Sequence, residues 1–275
     1  ELVRELSIHI VPLRVLTGEE SHLDKLALDV RELEEMLHAG ETSIGTSQPT
    51  QGDFRRMYEF LGTHFAQIIS VHIGEKLSGT LQGALSAAEA GNHAEKIAVI
   101  DTGTTSIGQA LAVRRAAMLA NQGLHGEALV QEVRLFVPTI RSFALVNNLE
   151  TAVRSGRLNR NVKRIADLLR LVPVLHSTPD GRITAQGFLP GRHNLIERFA
   201  RRITRRLDAD AHWEFAIAHG PGDDAAGDAL AAAVKQRLPK ARLIWQTELG
   251  AALGLHAGLD SLIVALHPAG AEPPA

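Results

Sequence analysis

Cysteine is absent from the 275 residues. That removes disulfides, thiol catalysis and cysteine-ligated metals at once, and it fits a cytoplasmic protein. Charge of one sign is also absent: 29 Lys and Arg stand against 31 Asp and Glu, a formal net charge of −2. With no basic block, a nucleic-acid partner is not expected. No apolar run approaches the ~18–20 residues of a membrane helix, so no membrane span is expected. No basic stretch followed by an apolar segment marks a signal peptide, and the chain begins at Glu1. The thirteen histidines show no HExxH spacing, and neither the phosphate loop ending in Gly-Lys-Ser/Thr nor the dinucleotide pattern G-x-G-x-x-G occurs. Neither a metal nor a cofactor is therefore expected. Aromatic residues make up 4%, whereas hydrophobic residues reach 45% and charged ones 22%, a balance that builds a packed and largely aliphatic core.

The first half alternates strand and helix patterns. Ile8 to Val15 reads as a strand bent at Pro12. A helix follows over roughly 29–38, and Thr50 with Asp53 has capping-box spacing ahead of Phe54, Met57, Tyr58 and Leu61 at helical intervals. The apolar strand 67–73, a helix after residue 79, the strand Ile97–Ile100 and a helix at about 107–122 continue the rhythm, which predicts a parallel α/β sheet. After a helix at about 126–138 and the strand 142–146 the pattern changes. Pro179-Asp180-Gly181 between two apolar runs predicts a hairpin. An arginine-rich helix (193–207), a strand at 214–218, a helix at 223–237, a strand at 242–246 and a strand at 261–266 that closes the sheet complete a mixed sheet. Two domains are expected, residues 1–147 and 148–275, and the small, proline-rich tail from Pro268 to Ala275 is expected to fray.

Two polar clusters stand out. Thr46-Ser47-Gln48-Pro49 and Ser78-Gly79-Thr80 lie 32 residues apart, each ahead of a helical pattern. Hydroxyls and free N–H groups at a helix start suit a carboxylate or phosphate, and the carboxyl end of an open α/β sheet is where such clusters converge. Each cluster is equally what an ordinary helix cap requires. His256, in Gly254-Leu255-His256-Ala257-Gly258, is either a third site residue or an ordinary loop or core histidine. Ser78, His256 and Asp101 can be drawn as a hydrolase triad, but the Gly-x-Ser-x-Gly elbow is missing. Arg154, Arg157 and Arg192 read as surface charges or as contacts for an anion. Arg198, Arg201, Arg202, Arg205 and Arg206 read as a solvated helix face.

Together these segments resemble the DegV family of bacterial fatty-acid-binding proteins. The matching pieces are Val11-Pro12-Leu13, Thr46-Ser47-Gln48-Pro49 with Gly52-Asp53-Phe54, Ser70-Val71-His72-Ile73 leading into Lys76-Leu77-Ser78-Gly79-Thr80, and Val99-Ile100-Asp101-Thr102. Leu149-Glu150 with Gly156-Arg157, the Val172-Pro173 strand and Gly254-Leu255-His256-Ala257-Gly258 complete them. The resemblance implies a two-domain α/β protein, not an enzyme, that buries one long-chain fatty acid such as palmitate between its domains. The carboxylate would rest on Thr46 and Ser78, joined by His256, with Ser47, Gly79 and Thr80 completing the ligand set. It further implies presentation of the acid to a fatty acid kinase for phospholipid synthesis; Arg157 and Arg192, each next to a glycine in a predicted loop, are the candidate docking residues. The alternative from chemistry alone is an acyl hydrolase or acyltransferase using Ser78 and His256. Three departures are visible: the family's opening strand is absent, consistent with residues missing upstream; the late motif reads His256-Ala257-Gly258-Leu259-Asp260; and Ser155-Gly156 replaces a glycine pair.

Overall fold

The computed structural model describes residues 2–41, 43–146 and 149–271, and the expected fraying of the last residues lies partly outside them. The chain is an α/β protein with a parallel strand pair and a mixed sheet. Among the described residues the strands are β1 (Arg14–Thr17), β2 (Glu20–Leu23), β3 (Ile44–Ser47), β4 (Ile68–His72), β5 (Ile97–Asp101) and β6 (Arg141–Leu145). They continue with β7 (Leu171–Ser177), β8 (Ile183–Pro190), β9 (Trp213–His219), β10 (Arg242–Glu248) and β11 (Leu262–Pro268).

β4 and β5 pair in parallel, Ile68 opposite Ile97 through His72 opposite Asp101. The opening strands do not extend this pair. They form a separate antiparallel sheet in the order β2-β1-β3, because Gly18, at φ +60°, turns the chain sharply between β1 and β2. The strand expected over 8–15 is accordingly shifted: residues 8–13 are irregular and pairing starts at Arg14. The predicted capping box is present. Asp53 N–H donates to Thr50 Oγ1 at 3.1 Å and Thr50 N–H to Asp53 Oδ2 at 2.9 Å. Burial works to raise the Asp53 pKa, but Thr50 and the Arg14 guanidinium, 3.1 Å away, outweigh it and hold the carboxyl at about 2. The helix Gln51–His64 is thereby tied to β1.

The second sheet runs β10-β9-β11-β6-β7-β8. β6 falls before the expected boundary at 147, yet it pairs with β11 and β7, so this sheet begins at residue 141. β11, expected to close the sheet, lies at its centre between β9 and β6. Six of its seven residues, Leu262 through His267, are buried, as a strand covered on both faces requires. The hairpin predicted at Pro179-Asp180-Gly181 joins β7 and β8, with Gly181 at φ +78°.

One face of this sheet is covered by the helices Leu195–Thr204 and Asp224–Arg237, around Phe199, Phe215, Ile217 and Leu230. On the other face the helix Ser106–Asn121 sets Ile107 and Leu111 against Ala216, Ala218 and Ala265, alanines small enough to let the helix approach. The arginine-rich helix is not simply solvated: Arg198 donates to Pro190 O, and Arg202 reaches back to Gln186 O at 2.6 Å. Arg201, Arg205 and Arg206 are exposed.

Candidate functional site

A cavity of about 400 Å³ opens on the face of β6 and β7 that the helices Leu195–Thr204 and Asp224–Arg237 leave free. Its volume lies in the range of sites for small organic ligands. Leu13, Ile73, Leu77, Val146, Leu158 and Leu175 supply much of the wall. The polar groups gather at two places, and the first contains the residues singled out by sequence.

Thr46 is the third of the four residues of β3, and its Oγ1 is 2.7 Å from His256 Nε2, across 210 residues of sequence. His256 lies in the last turn of the helix Ala251–Ala257, which ends at Gly258 with φ +91°. That helix was not predicted. It is short, seven residues, and its stability is tertiary: Ala251, Ala252 and Leu255 pack on Val15, Leu28 and Leu33. A carboxylate 228 residues away, Asp24, accepts from Ala252 N–H at 3.2 Å and so caps its first turn.

Ser78 precedes the helix Thr80–Glu89. Its Oγ lies 2.7 Å from Thr80 Oγ1 and accepts from Thr80 N–H at 3.3 Å. When Thr80 donates its hydroxyl as well, the Ser78 O–H is left to point into the cavity. Thr80 itself is buried and is not part of the wall, whereas Thr46, Ser47, Ser78, Gly79 and His256 are. Gln48 also lines the cavity, and its side-chain oxygen fills the space where a Cβ on residue 79 would sit, which is why glycine fits there.

Ser155 was noted only as a departure from the family pattern. Its Oγ lies 3.4 Å from His256 Nδ1, so both ring nitrogens have hydroxyl neighbours. Arg157 lines the same end of the cavity, with Nη1 donating to Ser155 O at 2.7 Å and Nε to Leu77 O at 3.3 Å. Arg192 is exposed and outside the cavity wall. Asp101 contacts Gly103 N–H at 2.8 Å rather than His256.

Burial first, and the Arg157 charge second, lower the His256 pKa to about 4. Burial does the same to His72, to about 4, against the opposing pull of Asp101. His72 closes a buried chain in which Tyr58 OH and His72 Nε2 each lie 2.8 Å from Ser70 Oγ. Both histidines are therefore neutral at pH 7. The unfolded chain takes up these protons near pH 6.5 and the folded chain only near pH 4, so lowering the pH through this window favours unfolding. We expect stability to fall between pH 6.5 and 4 with a slope approaching two protons, about 1.4 kcal/mol per pH unit for each. Urea titrations across that range check this, and His72→Gln or His256→Gln should each remove about half of the slope.

Among the described residues no group of three or more His, Asp or Glu side chains is placed to hold a metal, and no helix is long and apolar enough to cross a membrane.

Fold and site together define an α/β protein that closes a mainly aliphatic cavity with a hydroxyl–imidazole cluster. The family model described as "Uncharacterised protein, DegV family" matches residues 1–269, and the chain belongs to that family. It is 30% identical over 270 residues to a DegV domain-containing protein of Deinococcus radiodurans, a match that covers 98% of this chain and 94% of that one. Its fold matches the crystal structure of DegV, a fatty acid binding protein from Bacillus subtilis, with a TM-score of 0.83 at 25% identity over 97% of this chain and 94% of that one. It also matches a DegV family protein from Thermus thermophilus whose structure is described by its fatty acid binding, with a TM-score of 0.83 at 26% identity and the same coverage.

Proposed function

We propose that this protein binds one long-chain fatty acid, with the tail in the aliphatic cavity and the carboxylate on Thr46, Ser78 and His256. The ligand then lies in the cleft between an N-terminal and a C-terminal domain. The observation that carries this reading is the 2.7 Å Thr46–His256 contact in the wall of a cavity that Ser78 also lines. A neutral His256 that donates Nε2–H to Thr46 Oγ1 frees the Thr46 O–H for a carboxylate oxygen, and Ser155 can then donate to Nδ1. Ser78 O–H is the second donor. Arg157, pinned by two carbonyls, brings a positive charge to the same end, so the acid binds ionised rather than protonated.

The fatty acid binding of the two relatives supports this assignment. A serine hydrolase needs its base beside its nucleophile, whereas His256 Nε2 faces Thr46 and Ser78 Oγ faces Thr80. The protein is in this reading a cytoplasmic carrier that presents the carboxylate to a fatty acid kinase, with Arg157 at the opening and Arg192 on the outer surface.

Denaturing extraction of the purified protein, followed by mass spectrometry, should release a C14–C18 acid, or one should be taken up on incubation. Failure of both, no acid released and none taken up, would remove the assignment. In the same preparation a fluorophosphonate should leave Ser78 unlabelled; labelling would favour the hydrolase. Loaded protein given to a fatty acid kinase with ATP should yield acyl-phosphate, and Arg192→Ala protein that still binds acid should yield less. Equal yields would leave the kinase role without support.

A further inference from the structure

The second polar place in the cavity wall is a hydroxyl trio. Thr104 Oγ1 donates to Ser142 Oγ at 3.0 Å and lies 2.9 Å from Ser177 Oγ. All three residues line the cavity. Thr104 comes from the loop after β5, Ser142 from the start of β6 and Ser177 from the end of β7.

The trio is one hydrogen-bond acceptor short. Three hydroxyls carry three hydrogens and share two bonds. Thr104 spends its hydrogen on Ser142, so Ser177 donates to Thr104, and the Ser142 hydrogen has no acceptor among the described residues. Ser142 is only 7% exposed, so the space that donor faces is the cavity. A buried donor without a partner is costly, and here the donor belongs to a cavity wall.

Nothing in the strand itself calls for a hydroxyl at this position. Phe143 and Leu145 point to the core shared with Phe199 and Phe215. The alternate residues Ser142, Ala144 and Val146 form the cavity side. Along that line the wall changes from aliphatic to polar, three residues or about 10 Å from Leu145. Leu145 pairs with Leu262, the first residue of β11, next to the end where His256 stands. The trio therefore faces the middle of a tail whose carboxylate is held at Thr46 and His256. His176, opposite Phe143 in the sheet, stacks its ring beside Phe143 on the other face, so the polar group at this height is the trio.

We infer that the cavity selects fatty acids bearing an oxygen function in mid-chain, a hydroxyl or ketone, which accepts the Ser142 hydrogen. The inference rests on the fatty-acid assignment above and names the subclass of acid. A saturated, unfunctionalised tail leaves the Ser142 donor unpaired. A mid-chain hydroxyl or ketone oxygen pairs it.

The test compares octadecanoic acid with 10-hydroxyoctadecanoic acid on the wild-type protein and on Ser142→Ala, by displacement of a fluorescent fatty acid. Wild-type protein should bind the hydroxy acid at least as tightly as octadecanoic acid. Ser142→Ala keeps the Thr104–Ser177 bond, and it should weaken the hydroxy acid about five- to tenfold, the effect of one neutral hydrogen bond, while leaving octadecanoic acid unchanged or slightly tighter. Rejection of the hydroxy acid by the wild type, or an equal shift of both acids in the variant, would overturn the inference and leave the fatty-acid assignment standing. If the wild type takes up neither acid, both fall together. Thermal unfolding of Ser142→Ala matching that of the wild type confirms that the comparison reads selectivity.

Discussion

Ser78→Ala is expected to weaken fatty-acid binding ten- to a hundredfold while the protein folds as before. With Thr80 donating its hydroxyl to Ser78, the serine O–H is the hydrogen of the pair not used within the chain, so its loss removes a donor to a charged carboxylate. Such a bond is worth about 1.5–3 kcal/mol, and 1.4 kcal/mol is tenfold in dissociation constant. Thr46→Ala should cost a similar factor or less, because His256 Nε2, released from Thr46 Oγ1, can turn its own N–H to the ligand. Thr80→Ala should show a smaller loss of the same kind, since Thr80 orients Ser78 without lining the cavity. Titration of each variant with a C16 acid decides the matter. Parental affinity in both Ser78→Ala and Thr46→Ala would place the carboxylate elsewhere.

The largest effect on stability is expected from Glu214. This carboxylate, 2% exposed on β9, meets His267 Nε2 at 3.4 Å, Arg114 Nη1 at 3.5 Å and Arg242 Nη2. The His267 contact, then the two arginines, overcome the cost of burial and hold its pKa at about 2. Glu214→Ala strands Arg114 and His267 in the interior, whereas Arg242, 65% exposed, can swing into water. Breaking a buried pair from one side costs about 3–5 kcal/mol, and the freedom of Arg242 places this site at the lower end, about 3 kcal/mol. Urea unfolding at pH 7 measures it; a loss below about 1 kcal/mol would mean that water already reaches the cluster. The sign with pH is the same as for the histidines, but the window is lower. A carboxyl lowered from 4.5 to about 2 contributes stability above pH 4.5 that is lost as the pH falls toward 2. The two groups therefore act in adjoining windows.

The head cluster was only half legible in the chain. Thr46 and Ser78 announced themselves because hydroxyls before helices have a local reason to be there, and His256 because glycines surround it. Ser155 carried no comparable signal, and Gln48 showed only as a member of its cluster: each acquires its role from a partner far away in sequence, His256 for one and Gly79 for the other. Arg157 had a signal but an incomplete reading. Sequence spacing suggested a surface contact, while the fold brings it to the cavity wall beside Ser155 and Leu77. Thr104, Ser142 and Ser177 were invisible as a group, since a lone hydroxyl in a strand or loop means little until the sheet brings it beside two others.

By itself the sequence determined the local elements whose causes are local. The Thr50–Asp53 capping box, the helix over Gln51–His64, the β7–β8 hairpin at Pro179-Asp180-Gly181 and the alternation of strand and helix after residue 67 all follow from period, caps and turn residues within a few positions. Tertiary structure alone decided the order of strands, because pairing depends on which faces are apolar on both sides: β11, last in the chain, took the centre of the mixed sheet, and β6 joined it rather than the parallel pair. It alone formed the helix Ala251–Ala257, whose cap is Asp24 and whose apolar face is completed by β1 and the helix Val30–His38. It also set the protonation of His256, since burial and the Arg157 charge, neither visible along the chain, keep that imidazole neutral beside Thr46.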